Sequence, residues 1–212
     1  YWQQAADSAL AQSAYNEAIG HLNAGLPLTS ELPAGDRRDT LELNLLLSLG
    51  IALTATHGYG VPEVRESYAR AAVLARRVGQ SRKLFPALYG LWWGTLLRAD
   101  YEHSKELGRE LLAQANASGI DAFKVSAHRA LGATLFYTGD FPEALEQQDQ
   151  GLAIPKTADN RSQAMEFDVV DPWVTCGSYR AGTLWMLGRV KESEQQLQQT
   201  ISTARGLNHP FT

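Results

Sequence analysis

The chain has 212 residues, of which 44% are hydrophobic and 20% are charged, a balance that allows a sizeable core and excludes a disordered tail or a disulfide-stapled miniprotein. The formal charge of -4 gives no general attraction to nucleic acid or anionic lipid, so neither is expected as a partner. Uncharged stretches such as 85–97 fall short of the roughly 20 apolar residues of a membrane-spanning helix, and the single cysteine, Cys176, favours a reducing cytoplasmic location.

Five segments in succession resemble one another, and each is consistent with two helices joined by a tight turn. The second helix of each segment starts with an aromatic or β-branched residue, followed three positions later by a small or β-branched one. These later residues recur at irregular intervals of about 40 to 50 residues and are Ala18, Val64, Ser104, Ala144 and Ser193. One such unit cannot cover its own apolar faces, so the units are expected to stack.

Helical periodicity and end signals support this interpretation. Apolar or small residues recur at steps of three and four from Val64 to Val78, which predicts one apolar helix face. Asp140 and Asp171 each precede a helix that has proline in its first turn, and both are predicted N-caps. Alternating apolar strands between turn signals are absent from the sequence, so an all-α fold is predicted.

The predicted architecture is a right-handed superhelix, an α-solenoid, of about five helix pairs that form a single domain over residues 1–212. The pairs are predicted near 1–35, 39–79, 84–119, 122–155 and 171–206. Residues 155–171 interrupt the pattern and are predicted to form a long, partly helical excursion between the last two pairs.

The unit that begins near Val125 carries Leu131-Gly132, Gly139, Phe141 and Ala144 at the offsets of the tetratricopeptide repeat (TPR). Further phrases are Gly58-Tyr59-Gly60, Ala127-His128-Arg129-Ala130, Asp171-Pro172 and Leu184-Trp185-Met186-Leu187-Gly188. With these, nearly the whole chain resembles the TPR region that follows the ATPase module in bacterial adenylate/guanylate cyclase-ATPase (STAND-type) fusion proteins. The resemblance implies repeats that carry no catalysis and that interact with a regulator or with the attached ATPase.

Motifs for catalysis, cofactors or metals are not found in the sequence. There is no phosphate-binding G-x-x-x-x-G-K-[ST] loop and no G-x-S-x-G nucleophile elbow. The five histidines lack metal-ligand spacing, Cys176 is expected to be a small buried apolar residue, and His128 a partly buried ring. We therefore predict no enzyme activity, no catalytic residues, no cofactor and no metal.

Two surfaces are predicted. In stacked helix pairs the first helices line the concave side, so a binding groove is expected there, although each aromatic could equally pack between helices; its residues are Tyr89, Trp93, Arg129, Phe136, Tyr137, Trp185 and Met186. A basic patch is expected opposite the Val64–Val78 stripe, either simply solvated or in contact with an acidic partner; its residues are Arg65, Arg70, Arg76 and Arg77.

The sequence thus predicts a cytoplasmic module that binds a protein, a peptide or a sibling domain and regulates an attached ATPase/cyclase unit. The alternative is a helical arm of a signalling ATPase or transcription regulator that senses a small molecule. Because the chain begins with Tyr1 and His209-Pro210-Phe211 resembles the start of another repeat, we expect it to be part of a longer polypeptide. Uncovered solenoid ends are expected to favour homodimers of the isolated chain.

Overall fold

The computed structural model of the chain describes residues 1–168 and 170–207. These residues form eleven α-helices and no strand, which confirms the predicted all-α class. The predicted repeat start at His209-Pro210-Phe211 lies outside the described residues. The helices are α1 (Trp2–Ala11), α2 (Tyr15–Thr29), α3 (Asp36–His57), α4 (Pro62–Arg77), α5 (Ser81–Leu97), α6 (Tyr101–Ser118), α7 (Asp121–Thr138), α8 (Phe141–Ala153), α9 (Ala158–Met165), α10 (Pro172–Met186) and α11 (Val190–Leu207).

The chain divides into two compact units, Tyr1–Ala99 and Asp100–Thr212. We call them unit 1 and unit 2. Unit 1 holds α1 to α5, and the described part of unit 2 holds α6 to α11. The boundary falls inside the predicted pair near 84–119, between α5 and α6, whereas the other four predicted pairs lie within one unit.

A tight turn joins the two helices of each predicted pair. One residue in each turn has a positive φ, which places it in the left-handed region; these residues are Ser13, Gly58, Ala99, Gly139 and Gly188. At Ser13 and Ala99 the same conformation is adopted with a side chain present, at φ angles of 57° and 58°, at a cost of about 1 kcal/mol or more. A positive φ therefore recurs in these turns even where the residue is not glycine.

In unit 1 the helices approach closely around Tyr68 of α4, whose ring lies between glycines on the two neighbouring helices. A Cβ atom added at Gly50 of α3 would stand 2.6 Å from the ring carbons, and one added at Gly90 of α5 would stand closer still. Tyr68 is buried, so its ring has no open space into which to move. The absence of side chains at Gly50 and Gly90 thus allows α3, α4 and α5 to pack together.

Unit 2 uses small residues in the same way. A Cβ atom at Gly132 of α7 would lie 3.1 Å from the Gln148 side chain of α8, close to the backbone oxygen of the fully buried Ala144. A Cβ atom at Gly151 of α8 would lie 3.2 Å from the Cys176 sulfur of α10. Gly132 and Gly151 therefore mark the close approaches of α8 to α7 and to α10.

The two predicted N-caps differ. Asp171 is a true cap, because its Oδ1 accepts a hydrogen bond of 2.9 Å from the Val174 backbone amide at the start of α10. Asp140 precedes α8, but its side chain makes no capping hydrogen bond. It accepts instead from the Lys105 ammonium at 2.8 Å and from the Thr138 hydroxyl at 2.7 Å. Asp140 therefore stands at the start of α8 as predicted, but its carboxylate accepts from these two donors instead of capping the helix.

Replacement of Gly90 by alanine should destabilise unit 1 by roughly 1 to 3 kcal/mol, because the new methyl group overlaps the confined Tyr68 ring. The matched control is Gly20→Ala in α2, where a Cβ atom would meet nothing within 4 Å. That change should stabilise the helix by about 0.5 to 1 kcal/mol. Denaturant unfolding of both variants measures the difference, and equal effects of the two substitutions would refute the packing described.

Candidate interaction surface

The two groove residues predicted in unit 1, Tyr89 and Trp93, differ in how deeply they are buried. Tyr89 of α5 is completely buried, and its ring packs against Phe85 and Trp92 with centroids 6.1 and 5.4 Å away. The expectation that Tyr89 lines an open groove was wrong, because its ring belongs to the core of unit 1. Trp93 is half-buried and stacks on Tyr59 with centroids 5.1 Å apart and planes 18° apart.

Arg129 was predicted to line the groove, but its side chain is only 1% exposed. Its Nη1 donates a hydrogen bond of 2.7 Å to Oδ2 of Asp168, a carboxylate that is itself fully buried. A buried guanidinium needs a charge partner, since removal of an ion from water is expensive. Asp168 supplies that partner from inside the protein, so Arg129 is not accessible to a ligand in this structure.

The excursion between α8 and α10 provides this buried partner. Its helix α9 contacts α7, and Asp168 follows α9 directly. Within the same segment Arg161 forms an ion pair with Asp171, and its guanidinium lies 5.3 Å from the centroid of the Trp173 ring. Asp168 and Asp171 each form an ion pair with an arginine. They hold the excursion against the helices of unit 2.

The exposed part of the predicted groove lies in unit 2. Phe136 is half-buried, whereas Tyr137, Trp185 and Met186 are 50%, 59% and 55% exposed. Two further rings join this region, Tyr101 of α6 and Tyr179 of α10. We call Tyr101, Phe136, Tyr137 and Tyr179 the aromatic face.

Ring contacts connect all members of the aromatic face. Tyr137 stacks on Tyr101 with centroids 6.0 Å apart and planes 4° apart, and it meets Tyr179 edge-on at 6.0 Å. Phe136 contacts Tyr179 edge-on at 5.8 Å and also lies against Gly182 of α10. Met186 lies two helical turns after Tyr179 on the same side of α10. The face thus extends across α6, α7 and α10.

Tyr179 was not among the predicted groove residues, because the local sequence does not show that its ring meets Phe136 and Tyr137 of α7. The Tyr179 hydroxyl donates to the Tyr137 hydroxyl at 3.4 Å. Burial, followed by this hydrogen bond, raises the pKa of the Tyr179 phenol. The Tyr179 hydroxyl therefore stays protonated at physiological pH, and it forms with the Tyr137 hydroxyl a hydrogen-bonding group at the edge of an otherwise apolar face.

The basic patch is partly neutralised by the neighbouring helix α3. Arg70 forms a two-pronged contact with Glu42, with N–O distances of 2.8 and 3.4 Å, and Arg77 contacts Asp39 at 3.0 Å. Arg65 and Arg76 are exposed. Two of the four predicted cations thus already serve to join α4 to α3, which weakens this patch as a docking surface for an acidic partner.

Cys176 and His128 have the surroundings of structural residues. Cys176 is fully buried, its thiol donates to the Gln148 carbonyl at 3.4 Å, and burial raises its pKa to about 12. A thiol held so firmly in its neutral form is a poor nucleophile. The half-buried His128 ring lies 3.0 Å from Oε1 of Gln147, and burial lowers its pKa.

Within residues 1–168 and 170–207, no group of three or more histidine, cysteine, aspartate or glutamate side chains is arranged to hold a metal ion. Among the helices in the described part of the chain, none is long and apolar enough to cross a membrane.

Comparison with known proteins gives a relative of the chain and a set of similar folds. No protein-family model matches the chain. An uncharacterized protein of Rhizobium meliloti (strain 1021) is 28% identical over 202 residues, which cover 93% of this chain but only 19% of that protein. The chain therefore spans about a fifth of the length of this curated relative.

Two crystal structures of nearly identical TPR-like repeats from Podosopora anserina, described under the name kinesin light chain, resemble this chain. Their TM-scores are 0.68 and 0.67, at 15% and 14% identity. The first likeness covers 95% of this chain and 92% of the other, and the second covers 98% and 95%. At this level of identity the likeness establishes the fold, which is that of TPR-like helical repeats.

Replacement of Arg129 by methionine should destabilise unit 2 by about 3 to 5 kcal/mol, because it leaves the Asp168 carboxylate buried without its charge partner. The double variant Arg129→Met, Asp168→Leu should recover much of this loss. Arg189→Met is the matched control, because its ion pair with Glu192 is exposed and should contribute little to stability. Equal unfolding free energies for the Arg129 and Arg189 variants would contradict the buried pair.

Proposed function

We propose that this chain is a non-enzymatic interaction module that binds a protein or peptide through the aromatic face and regulates an attached ATPase/cyclase signalling unit. The observation that carries the proposal is the exposure of Tyr137 and Met186 beside the rings of Tyr101, Phe136 and Tyr179 on a TPR-like fold. Of the residues predicted to line the concave groove, the proposed binding surface contains only residues of unit 2.

The chemistry of the aromatic face suits a peptide or a protein surface. Aromatic side chains contribute a large contact area with little loss of rotamer freedom, and they dominate the energetics of protein interfaces. The tyrosine hydroxyls add hydrogen-bonding groups that can orient a peptide backbone. The ring contacts on the face hold these side chains in place before the partner arrives, which reduces the entropy lost on binding.

Regulation would follow from a shift between conformations. A partner that prefers one arrangement of the repeats changes the balance between active and inactive states of the attached unit by its difference in affinity for the two. The attached ATPase/cyclase is proposed from the sequence resemblance. The relative is about five times longer than the matched region. This length is consistent with a chain that works beside other domains.

A small-molecule sensor is the second candidate, and one observation favours it. A cleft of about 440 Å³ lies among α8, α10 and α11 in unit 2, within the size range of small-molecule sites. This cleft has different lining residues from the aromatic face, so one chain could serve both functions.

Substitution of Tyr137 and Met186 by alanine should weaken peptide binding at least tenfold, since buried anchors of an interface each contribute on the order of 1 to 2 kcal/mol or more. The ligand is a peptide selected from a displayed random library against the 212-residue chain, and its affinity is measured by calorimetry. Leu28→Ala with Val73→Ala, two exposed apolar residues of unit 1, is the matched control. Unchanged affinity in the Tyr137/Met186 variant, with its helical circular dichroism intact, would remove the aromatic face from the proposal.

The regulatory part is tested in the parent protein. We expect the purified 212-residue chain to hydrolyse no ATP and to form no cyclic nucleotide. In the whole protein, the Tyr137/Met186 variant should bind nucleotide normally but lose the change in turnover that the selected peptide causes. Turnover by the isolated chain after rigorous purification would overturn the non-enzymatic assignment, and an unchanged peptide response in the variant protein would overturn the regulatory role.

A further inference from the structure

The cleft among α8, α10 and α11 has the composition of a ligand site rather than of a packing defect. The end of α8 forms one wall with Leu152 and Ala153, and α11 forms the other with Gln199 and Thr203. Val174 of α10 lines the cleft between them. Leu152, Ala153 and Val174 thus form an apolar part of the lining, and Gln199 and Thr203 form a polar part on α11.

Two cations and one carboxylate also line the cleft. Nε of Arg180 donates to Oδ1 of Asp149 at 2.5 Å, and its Nη1 donates to Oε1 of Gln196 at 3.0 Å. The Gln196 amide donates in turn to the Thr200 hydroxyl at 3.0 Å. Arg180 is therefore fixed by partners on α8 and α11, with one terminal nitrogen left over for a ligand.

Lys156 is the second cation. It is exposed, and its ammonium makes no hydrogen bond or ion pair with the described residues of the chain. Lys156 and Arg180 against Asp149 leave the lining with a net charge of +1. A ligand with a single negative charge balances this lining, whereas a dianion such as phosphate would keep an excess charge next to the Asp149 carboxylate.

We propose that the cleft binds a monocarboxylate that carries an amide and a small aliphatic group. The carboxylate contacts Lys156 and the free edge of Arg180, the aliphatic group lies on Leu152 and Val174, and the amide pairs with the Gln199 side chain. Both an N-acylated amino acid and the carboxyl end of a peptide have this chemistry. The site is independent of the aromatic face, so it does not rest on the peptide-binding function proposed there.

The direct test uses N-acetyl-L-valine as the probe and its carboxamide as the uncharged counterpart, titrated into the 212-residue chain by calorimetry and by NMR of the glutamine side-chain amides. We expect saturable binding of the acid, with changes in the NMR shifts of the Gln199 side-chain amide. The carboxamide should bind at least about tenfold more weakly, because it loses one charge-assisted hydrogen bond. A pentapeptide that ends in a free valine carboxylate distinguishes a peptide terminus from a free acid by which of the two binds more tightly.

Lys156→Gln should weaken binding of the acid at least about tenfold, and Ala153→Trp, at an exposed position of the α8 wall, should block the cleft without disturbing the core. Lys191→Gln, an exposed lysine of α11 outside the cleft, is the matched control and should bind the acid normally. The proposal is overturned if neither acid nor peptide binds saturably at millimolar concentrations, if the carboxamide binds as well as the acid, if inorganic phosphate binds more tightly, or if Lys156→Gln has no effect.

Discussion

The close approach of helices at positions without side chains is the constraint on which the structure depends. The Tyr68 ring fits between α3 and α5 only because Gly50 and Gly90 leave room for it, and Gly132 and Gly151 play the same part around α8. Each contact buries apolar surface that a single helix pair could not cover alone. These contacts set how the helices pack within each unit, and the packing determines which side chains remain exposed.

In unit 2 this packing decides which polar and aromatic groups can meet a ligand. Arg129 points into the interior and is neutralised by Asp168 from the excursion after α8, so the most prominent cation of the predicted groove has a structural role. The aromatic rings of α7 and α10 remain partly exposed, and the absence of a side chain at Gly182 lets the Phe136 ring lie against α10. Peptide binding is proposed for these rings and carboxylate binding for the cleft among α8, α10 and α11, two surfaces with opposite chemical character.

The helices could be predicted from the sequence because glycines, prolines and apolar spacing are local signals. The predicted pair near 122–155 matches α7 and α8, Asp171 caps α10 as expected, and the predicted excursion contains α9. The exposure of individual side chains could not be predicted, since it depends on which segments meet in space. No residue near Arg129 in the sequence indicates that its guanidinium will be buried against a carboxylate 39 positions later. Tyr89 lies on an apolar helix, and the same local pattern is compatible with a ring in a groove or in the core.

A double-mutant cycle at Tyr68 and Gly90 tests the central claim most directly, because it measures the steric coupling between α4 and α5. The unfolding free energies of the original chain, Gly90→Ala, Tyr68→Ala and the double variant give this coupling. If the ring limits the approach of the helices, the methyl group at position 90 will be costly beside Tyr68 and nearly neutral once the ring is gone. An equal cost of Gly90→Ala with and without the Tyr68 ring would show that this contact does not limit the approach of α4 and α5.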